Sequence, residues 1–280
     1  MRATIWGCRG SLATPGPDTI RYGGNTSCVE LELEDGTIVV LDAGTGVRPL
    51  GLRLARLQQP IHLCLTHLHL DHLEGLGFFR PLWTEGAELH VWGPASPVTP
   101  LRDRIARYLS PPLFPMQLAD VPASVTFHDL PDEPWTIGSA RFHAEPVAHP
   151  GVTVGYRVEE NGRSLVYIPD HEPALGNELS ALSPDWMSGF ALAREASVVI
   201  HDAQYTEQEY PQKVGWGHSS IADAVSFARI AGAQRLVLFH HDPMHGDAEL
   251  ERILERAHEL WEDAGPPPEL AYEGMSIGLS

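Results

Sequence analysis

The stretch Thr66-His67-Leu68-His69-Leu70-Asp71-His72 is the most informative part of this sequence. It follows the apolar run Ile61–Leu65, which predicts a short buried strand, and it places four possible metal ligands within six residues. Its first two histidines are two residues apart, so on an extended segment they face the same way. The Asp71-His72 pair begins the next turn and can face a second cation about 3.5–4 Å away. A polar surface loop is the alternative, but this density of ligands favours a metal site.

A pair of metal ions needs more ligands than this stretch supplies, so others must come from distant parts of the chain. Three residues fit because each ends a predicted strand, and such ends collect at one edge of a sheet: His149, Asp170 and His240. The Asp170 carboxylate can bridge two cations, whereas each of the three taken alone could be a solvated loop residue. His241 is the adjacent alternative to His240. Imidazole and carboxylate ligands without cysteine suit two divalent ions, zinc first and manganese or iron as alternatives.

The rest of the sequence alternates short apolar strands with helical segments. Hairpins are predicted at Glu34-Asp35-Gly36 and at Asn161-Gly162, where turn residues separate two strand-like runs. Helices are predicted at 47–58, 97–109, 186–194, 219–230 and 247–263. This order predicts an α/β fold (α+β in some classifications), namely a four-layer αββα sandwich of two mixed sheets with helices outside. No repeat or linker is evident, so we expect residues 1–280 to form one domain.

Composition excludes several classes of protein. The 280 residues include 19 Lys and Arg against 37 Asp and Glu, a net charge of −18, which disfavours extended nucleic-acid binding. No apolar run approaches the roughly 18 residues of a membrane span, and the first residues lack the apolar segment of a secretory signal. Three scattered cysteines (Cys8, Cys28 and Cys64) suit a reducing compartment. We therefore expect a cytoplasmic protein that does not bind membranes, with a homodimer as the default assembly.

Five motifs in order resemble the metallo-β-lactamase superfamily over essentially the whole chain. They are Leu41-Asp42-Ala43-Gly44, the His-rich stretch 66–72, and the three strand-end residues His149, Asp170 and His240. The resemblance implies two ligand sets with one shared carboxylate: His67, His69 and His149 for the first metal, Asp71, His72 and His240 for the second, and Asp170 as the bridge. It also implies that Asp42 orients the His-rich stretch from behind, as outer carboxylates do for ligating histidines.

The resemblance implies a hydrolase, because two metals can ionise a bridging water near neutral pH. In the phosphodiesterase branch, which includes the tRNA 3′-processing endonucleases, an acid in a His-acid-Ala segment orients a histidine in a Gly-His-Ser segment. Here these are Asp202 and His218, which with Asp71 form the predicted catalytic group. An imidazolium so placed can bind a phosphate oxygen or protonate a leaving alkoxide. The alternative is that His218 is a polar residue at a helix start, with Ser219 as the N-cap.

Gly-, Ser- and Asn-rich loops near the N-terminus resemble bacterial members similar to cyclic nucleotide phosphodiesterases and other small phosphodiesterases. In these loops Asn25, Thr26 and Ser27 either line the substrate pocket or only turn the chain. The loop Tyr108–Pro115 is rich in proline and aromatic residues, and we interpret it as a cap over a small substrate.

The sequence thus predicts a dinuclear metal-dependent phosphodiesterase that acts on a small or cyclic phosphodiester through a metal-bridging hydroxide. A tRNA 3′-processing ribonuclease is the first alternative, but the 20 residues between His149 and Asp170 leave no room there for an RNA-gripping arm. The net charge of −18 is also unfavourable for tRNA. A lactone or thioester hydrolase of the same fold is the second alternative, and a metal-binding regulatory or electron-transfer module is the third.

Overall fold

Two seven-stranded sheets form the centre of the computed structural model, which describes residues 1–261 and 265–279. The first sheet contains β1 (Arg2–Gly7), β2 (Cys28–Glu32), β3 (Ile38–Leu41), β4 (Ile61–Cys64), β5 (Glu88–Gly93), β6 (Ser124–Asp129) and β14 (Ser276–Gly278), in the order β14-β1-β2-β3-β4-β5-β6. The second contains β7 (Trp135–Ile137), β8 (Ala140–Pro146), β9 (Val154–Glu160), β10 (Arg163–Ile168), β11 (Val198–Asp202), β12 (Leu236–Phe239) and β13 (Glu269–Leu270), in the order β13-β12-β11-β10-β9-β8-β7. Each sheet mixes parallel and antiparallel pairs, as predicted.

Helices cover the outer face of each sheet. They are α1 (Val47–Leu54), α2 (Leu101–Tyr108), α3 (Phe190–Ala193), α4 (Ile221–Ala231) and α5 (Asp247–Leu260). Residues of α1 and α2 share one apolar cluster with the first sheet, and residues of α3, α4 and α5 share another with the second. A third cluster lies between the sheets and includes the fully buried Leu31, Tyr156 and Phe239. The predicted four-layer αββα sandwich is therefore confirmed. Among the described residues, no helix has both the length and the apolar character needed to span a bilayer.

The hairpin predictions are confirmed, whereas one helix prediction is wrong over most of its length. β2 pairs with β3, and β9 with β10, in antiparallel register around the two predicted turns. In the segment predicted as a helix over 186–194, α3 contains only four residues, because Gly189 adopts a positive φ of 70° immediately before it. The predicted helix over 247–263 ends at Leu260, and its last two residues lie outside the described part. The three-residue strands β7 and β14 carry too little pattern to be predicted.

The parallel strands place polar residues at one edge of the molecule. β3 and β4 are parallel neighbours in the first sheet, and β10, β11 and β12 are parallel neighbours in the second. Side chains that follow their carboxyl ends therefore lie at the same edge of each sheet. Those residues are Asp42 after β3, His67 and His69 after β4, Asp170 after β10, Asp202 at the end of β11 and His240 after β12.

Candidate metal centre

The first group of possible ligands combines three imidazoles with one carboxylate. The ligand atoms of His67, His69, His149 and Asp170 all lie within 4.8 Å of one another. His149 Nε2 is 3.2 Å from His69 Nδ1 and 3.6 Å from Asp170 Oδ2. His67 Nε2 is also 3.6 Å from Asp170 Oδ2. The His149 side chain is buried whereas His69 is exposed, so this group opens to solvent on the side of His69.

The second group is buried and shares Asp170 with the first. It consists of Asp71, His72, Asp170 and His240, whose ligand atoms again lie within 4.8 Å of one another. His240 Nε2 is 3.2 Å from both Asp71 Oδ2 and Asp170 Oδ1. His72 Nε2 is 2.9 Å from Asp170 Oδ1. Asp170 thus directs Oδ2 toward the first group and Oδ1 toward the second, which is the position predicted for the bridging carboxylate.

Two buried atoms test whether these residues fit cations. Among residues 1–261 and 265–279, the buried His67 Nε2 has no hydrogen-bond partner. The buried Asp170 Oδ1 lies 2.9 Å from His72 Nε2 and 3.2 Å from His240 Nε2, but neither contact has the alignment of a hydrogen bond. Such atoms are costly unless something binds them, and a cation between the side chains would do so. The seven predicted ligands therefore fit two divalent ions of the zinc, manganese or iron type.

The His-rich stretch is oriented from behind by a buried carboxylate. Asp42 Oδ2 accepts a hydrogen bond from His72 Nδ1 at 2.8 Å and another from the Tyr167 hydroxyl at 3.0 Å. Asp42 Oδ1 accepts the Thr66 N–H at 2.8 Å, and the Thr66 hydroxyl in turn lies 3.1 Å from His67 Nδ1. These contacts fix both rings with Nε2 toward the ligand groups, as expected of outer partners. Asp42 occupies the position predicted for it.

Three further partners orient the site, and the sequence did not predict them. His149 Nδ1 donates to the carbonyl of Gly217 at 2.8 Å, and His240 Nδ1 donates to Gln204 Oε1 at 2.9 Å. The backbone N–H of Ser11 donates to Asp71 Oδ2 at 2.7 Å. Backbone groups carry no residue-type signal, so only Gln204, two residues after Asp202, offered a side chain that sequence reasoning could have examined.

The space around the second group requires unusual backbone conformations. Asp42, at the end of β3, and His240, at the end of β12, both have a φ of 61°, which non-glycine residues seldom adopt. A Cβ atom at Gly10 would lie 2.4 Å from His240 Nδ1, so only glycine lets the chain pass so close to that ring. The chain is thus held in costly conformations where it presents the ligand groups.

Asp202 and His218 form a buried pair beside the ligand groups. His218 Nδ1 lies 2.7 Å from Asp202 Oδ2, and the His218 ring stacks on His240 with centroids 4.9 Å apart. Asp202 also accepts the backbone N–H groups of His171, Gln204 and Ser219. Burial opposes protonation of His218, but the adjacent Asp202 carboxylate outweighs it and raises the pKa to about 9. Although Asp202, His218 and His240 lie close enough together to bind a cation, the hydrogen bonds to Asp202 already occupy both its oxygens.

Other histidines near the site point away from it. His241 donates from Nε2 to the carbonyl of Ala271 at 2.8 Å, and burial lowers its pKa to about 3. Geometry therefore selects His240 rather than His241 as the possible ligand. His171 directly follows Asp170, but its Nδ1 lies 2.9 Å from His201 Nε2 in a fully buried contact. These imidazoles belong to the framework behind the site.

For Thr26 and Ser27 the structure favours the second interpretation, that they only turn the chain, whereas Asn25 is placed differently. Thr26 and Ser27 are fully buried, so their side chains do not line an open pocket. The Thr26 hydroxyl instead accepts the backbone N–H of Thr45 and contacts Glu74, which ties two loops together. Asn25 lines a cavity of about 580 Å³ next to the His-rich stretch, although its amide donates to a Glu273 oxygen.

The loop 108–115 covers the segment that follows the His-rich stretch. The Phe114 ring packs edge-on against Phe78 and stacks near Trp83, and a Cβ atom at Gly77 would clash with it. The Tyr108 hydroxyl donates to the Glu74 carbonyl. Its role as a cap over substrate stays a prediction.

Comparison with known proteins agrees with this geometry. The sequence model of the Beta-lactamase superfamily domain matches residues 37–241, more than half of the chain. Ribonuclease Z from Myxococcus xanthus is 24% identical over 255 residues, which cover 76% of this chain and 79% of the relative. Similar solved structures include a diphosphatase from the PhnP family (TM-score 0.70, 19% identity, covering 100% of this chain and 98% of that one) and human tRNase Z, short form, ELAC1 (TM-score 0.68, 21% identity, covering both chains fully). The chain therefore belongs to the β-lactamase superfamily domain family, and it is a hydrolase with the metallo-β-lactamase fold.

Proposed function

We propose that this protein is a dinuclear metal-dependent phosphodiesterase whose substrate is a small or cyclic phosphodiester. The Asp202–His218 pair carries the proposal. His218 Nδ1 lies 2.7 Å from Asp202 Oδ2, and the His218 ring stacks directly on the possible ligand His240. A carboxylate-paired imidazole at this position can donate a hydrogen bond to a charged phosphate oxygen, whereas a neutral lactone offers no such partner.

In this proposal each group of site residues has a separate task. Two bound divalent ions would activate water and take up negative charge on the substrate. The seven ligand residues would hold the ions, with Asp170 between them, and Asp42, Gln204 and the Gly217 carbonyl keep the ligating rings in one orientation. His218 Nε2 would then bind a phosphate oxygen or protonate the leaving alkoxide. Asp202 holds the proton of Nδ1 in place so that Nε2 faces the substrate.

Two features favour a small substrate. Between His149 and Asp170 the chain contains little besides the β9–β10 hairpin, which belongs to the second sheet, so no arm for gripping RNA projects from this segment. The net charge of −18 disfavours a long polyanion unless its contacts are confined to the active site.

A tRNA 3′-processing endonuclease is the second candidate. It is favoured by the similarity to Ribonuclease Z from Myxococcus xanthus and by the fold shared with human tRNase Z. The same ligand groups and the same Asp202–His218 pair would serve this reaction, so the site alone does not separate the two candidates.

A hydrolysis panel at fixed zinc or manganese concentration tests the proposal. We expect turnover of bis-p-nitrophenyl phosphate and of a cyclic nucleotide, little cleavage of a precursor tRNA with a 3′ trailer, and no turnover of a lactone. Efficient cleavage of the precursor tRNA alone would establish the second candidate. Turnover of the lactone with neither phosphodiester would overturn both. Elemental analysis of protein purified without added metal identifies the ion.

A further inference from the structure

An exposed tryptophan lies immediately beside the proposed active site. Trp216 stands two residues before His218, and 58% of its surface is exposed. The Lys213 ammonium lies 4.0 Å from the centre of the indole ring. Lys213 is the only lysine in the chain, and no carboxylate in residues 1–261 or 265–279 forms an ion pair with it. The segment 210–217, here called the tryptophan loop, thus presents an indole and an ammonium together.

The tryptophan loop is held rigidly by a buried carboxylate. Glu172 is fully buried and accepts the backbone N–H groups of Gly215 and Gly217 at 2.8–3.0 Å, together with the Tyr210 hydroxyl at 2.9 Å. Gly215 and Gly217 have φ values of 85° and 87°, which favour glycine on both sides of Trp216. The backbone on both sides of Trp216 is therefore held by hydrogen bonds, while 58% of the residue stays exposed. Core packing gains little from such an arrangement, whereas a binding surface needs it.

The tryptophan loop contacts both parts of the catalytic apparatus. Its last residue, Gly217, accepts the hydrogen bond from His149 Nδ1. The Lys213 ammonium lies 5.8 Å from the centre of the Tyr205 ring, which in turn meets the His218 ring edge-on with centroids 5.9 Å apart. The tryptophan loop therefore adjoins both the first ligand group, through His149, and the proposed proton donor His218, through Tyr205.

We propose that Trp216 and Lys213 form a binding platform for a nucleoside phosphodiester, with the indole stacked on the base and the ammonium near the phosphate. This inference rests on the proposed phosphodiesterase function and names its substrate class. Stacking on tryptophan accepts any base, because every base has a π face, and an ammonium binds phosphate as a point charge. In a chain of net charge −18, an ammonium without a carboxylate partner among the described residues is a group that would attract an anion.

Neighbouring apolar side chains extend the platform. Leu175 and Val214 are 57% and 45% exposed, and a Cβ atom at Gly176 would lie 2.7 Å from Val214, so these segments adjoin. Leu175 has a φ of 47°, an uncommon conformation for a branched residue. The tryptophan loop and the segment next to it thus expose further apolar side chains, which could contact a sugar.

The test compares two diesters with the same leaving group: thymidine 5′-(p-nitrophenyl phosphate) and methyl p-nitrophenyl phosphate, both with the metal-loaded protein. For Trp216→Ala we expect KM for the thymidine diester to rise at least about fivefold, with kcat nearly unchanged, because stacking contributes to binding alone. The methyl diester should be cleaved as by the wild-type protein. Trp216→Phe should recover most of the lost affinity.

Lys213→Met should raise KM for both diesters, since both carry the phosphate. Leu52→Ala, which shortens an exposed apolar side chain on α1, is the matched control.

The outcomes separate this inference from the function on which it rests. If the wild-type protein cleaves both diesters and Trp216→Ala affects them equally or not at all, the platform is overturned and the phosphodiesterase proposal stands. An unchanged KM for both diesters in Lys213→Met would overturn the role of the ammonium. If the wild-type protein cleaves neither diester with zinc or manganese, the proposed function fails and the platform fails with it.

Discussion

Two clusters of histidines in this molecule differ in a way that shows what makes a metal site. One is the candidate metal centre, and the other is a row on the first sheet formed by His62, His90 and His128, here called the strand row. Close contact between imidazoles does not distinguish them. His90 Nδ1 lies 3.0 Å from His128 Nε2 in the strand row, and His149 Nε2 lies 3.2 Å from His69 Nδ1 in the metal centre.

The direction of the side chains distinguishes them. In the strand row the residues lie within neighbouring strands, where side chains run side by side, so the rings of His62 and His90 stack at 4.9 Å with an angle of 16°. Trp92 continues this stack onto His128 at 4.0 Å. In the metal centre the residues follow the ends of strands, where loops turn their side chains toward common points.

The carboxylates also differ. Asp170 is buried among imidazoles of both ligand groups, and although burial opposes its ionisation, His240, His72 and His67 keep its pKa well below the usual value. In the strand row, the Oε1 atom of the exposed Glu88 lies 3.0 Å from His90 Nε2. Glu88 forms no hydrogen bond with the rings of His62 and His128. A buried, shared anion is therefore what turns a histidine cluster into a cation site.

The largest expected effect comes from removing that anion. Asp170→Asn should abolish binding of at least one metal and reduce phosphodiester hydrolysis by more than the roughly 10–100-fold typical of an outer partner. The physical reason is that both ligand groups lose their shared negative charge, whereas the side chain keeps almost the same volume. Metal content by elemental analysis and turnover of bis-p-nitrophenyl phosphate measure the two effects.

The matched control for this variant is His90→Ala, which removes the central imidazole of the strand row. We expect its metal content and activity to equal those of the wild-type protein. Full metal content in Asp170→Asn, or metal loss in His90→Ala, would show that the carboxylate does not separate the two clusters.

The next effect concerns His218, which touches the metal centre without being one of its proposed ligands. His218→Ala should lower kcat by roughly 10²–10⁴-fold, the usual contribution of a general acid or base, while both metals stay bound. Circular dichroism and elemental analysis on the same preparation control for folding and for metal. Loss of metal together with activity would make His218 a ligand and would contradict its proposed role as proton donor.

Sequence reasoning predicted the layers and the position of the ligand groups because both depend on strong local patterns. Apolar strands that end in polar residues specify a shared sheet edge, and the stretch 66–72 concentrates four ligands after one of them. The structure brings all seven predicted ligand residues into the two groups, with Asp202 and His218 paired beside them.

The parts that sequence reasoning missed depend on backbone geometry and burial. The N–H of Ser11 and the carbonyl of Gly217 orient ligands, yet any residue type has these groups. Thr26 and Ser27 have the composition of a binding loop, and only their complete burial shows that they belong to the framework. Likewise, nothing local in the sequence distinguishes His62 of the strand row from a metal ligand, since the difference lies in the direction of its ring.

The smallest expected effect is on the pH dependence of stability, and it concerns His62 of the strand row. Burial, helped by His90 and His128, lowers the pKa of His62 to about 4. In the unfolded chain the group titrates near 6.5, so between about pH 6.5 and 4 the unfolded state binds a proton that the folded state does not. His62 therefore favours unfolding increasingly as the pH falls through this range and has no such effect above it.

The variant His62→Gln tests this effect, because its amide can still accept the hydrogen bond from Trp92. Between pH 7 and pH 4 we expect its melting temperature to fall by roughly a few degrees less than that of the wild-type protein. Melting is measured in a chelator, so that release of metal does not contribute, and the two proteins are compared at pH 8 to correct for packing. If the melting temperatures of the two proteins changed equally with pH, His62 would accept a proton in the folded state as easily as an exposed imidazole does.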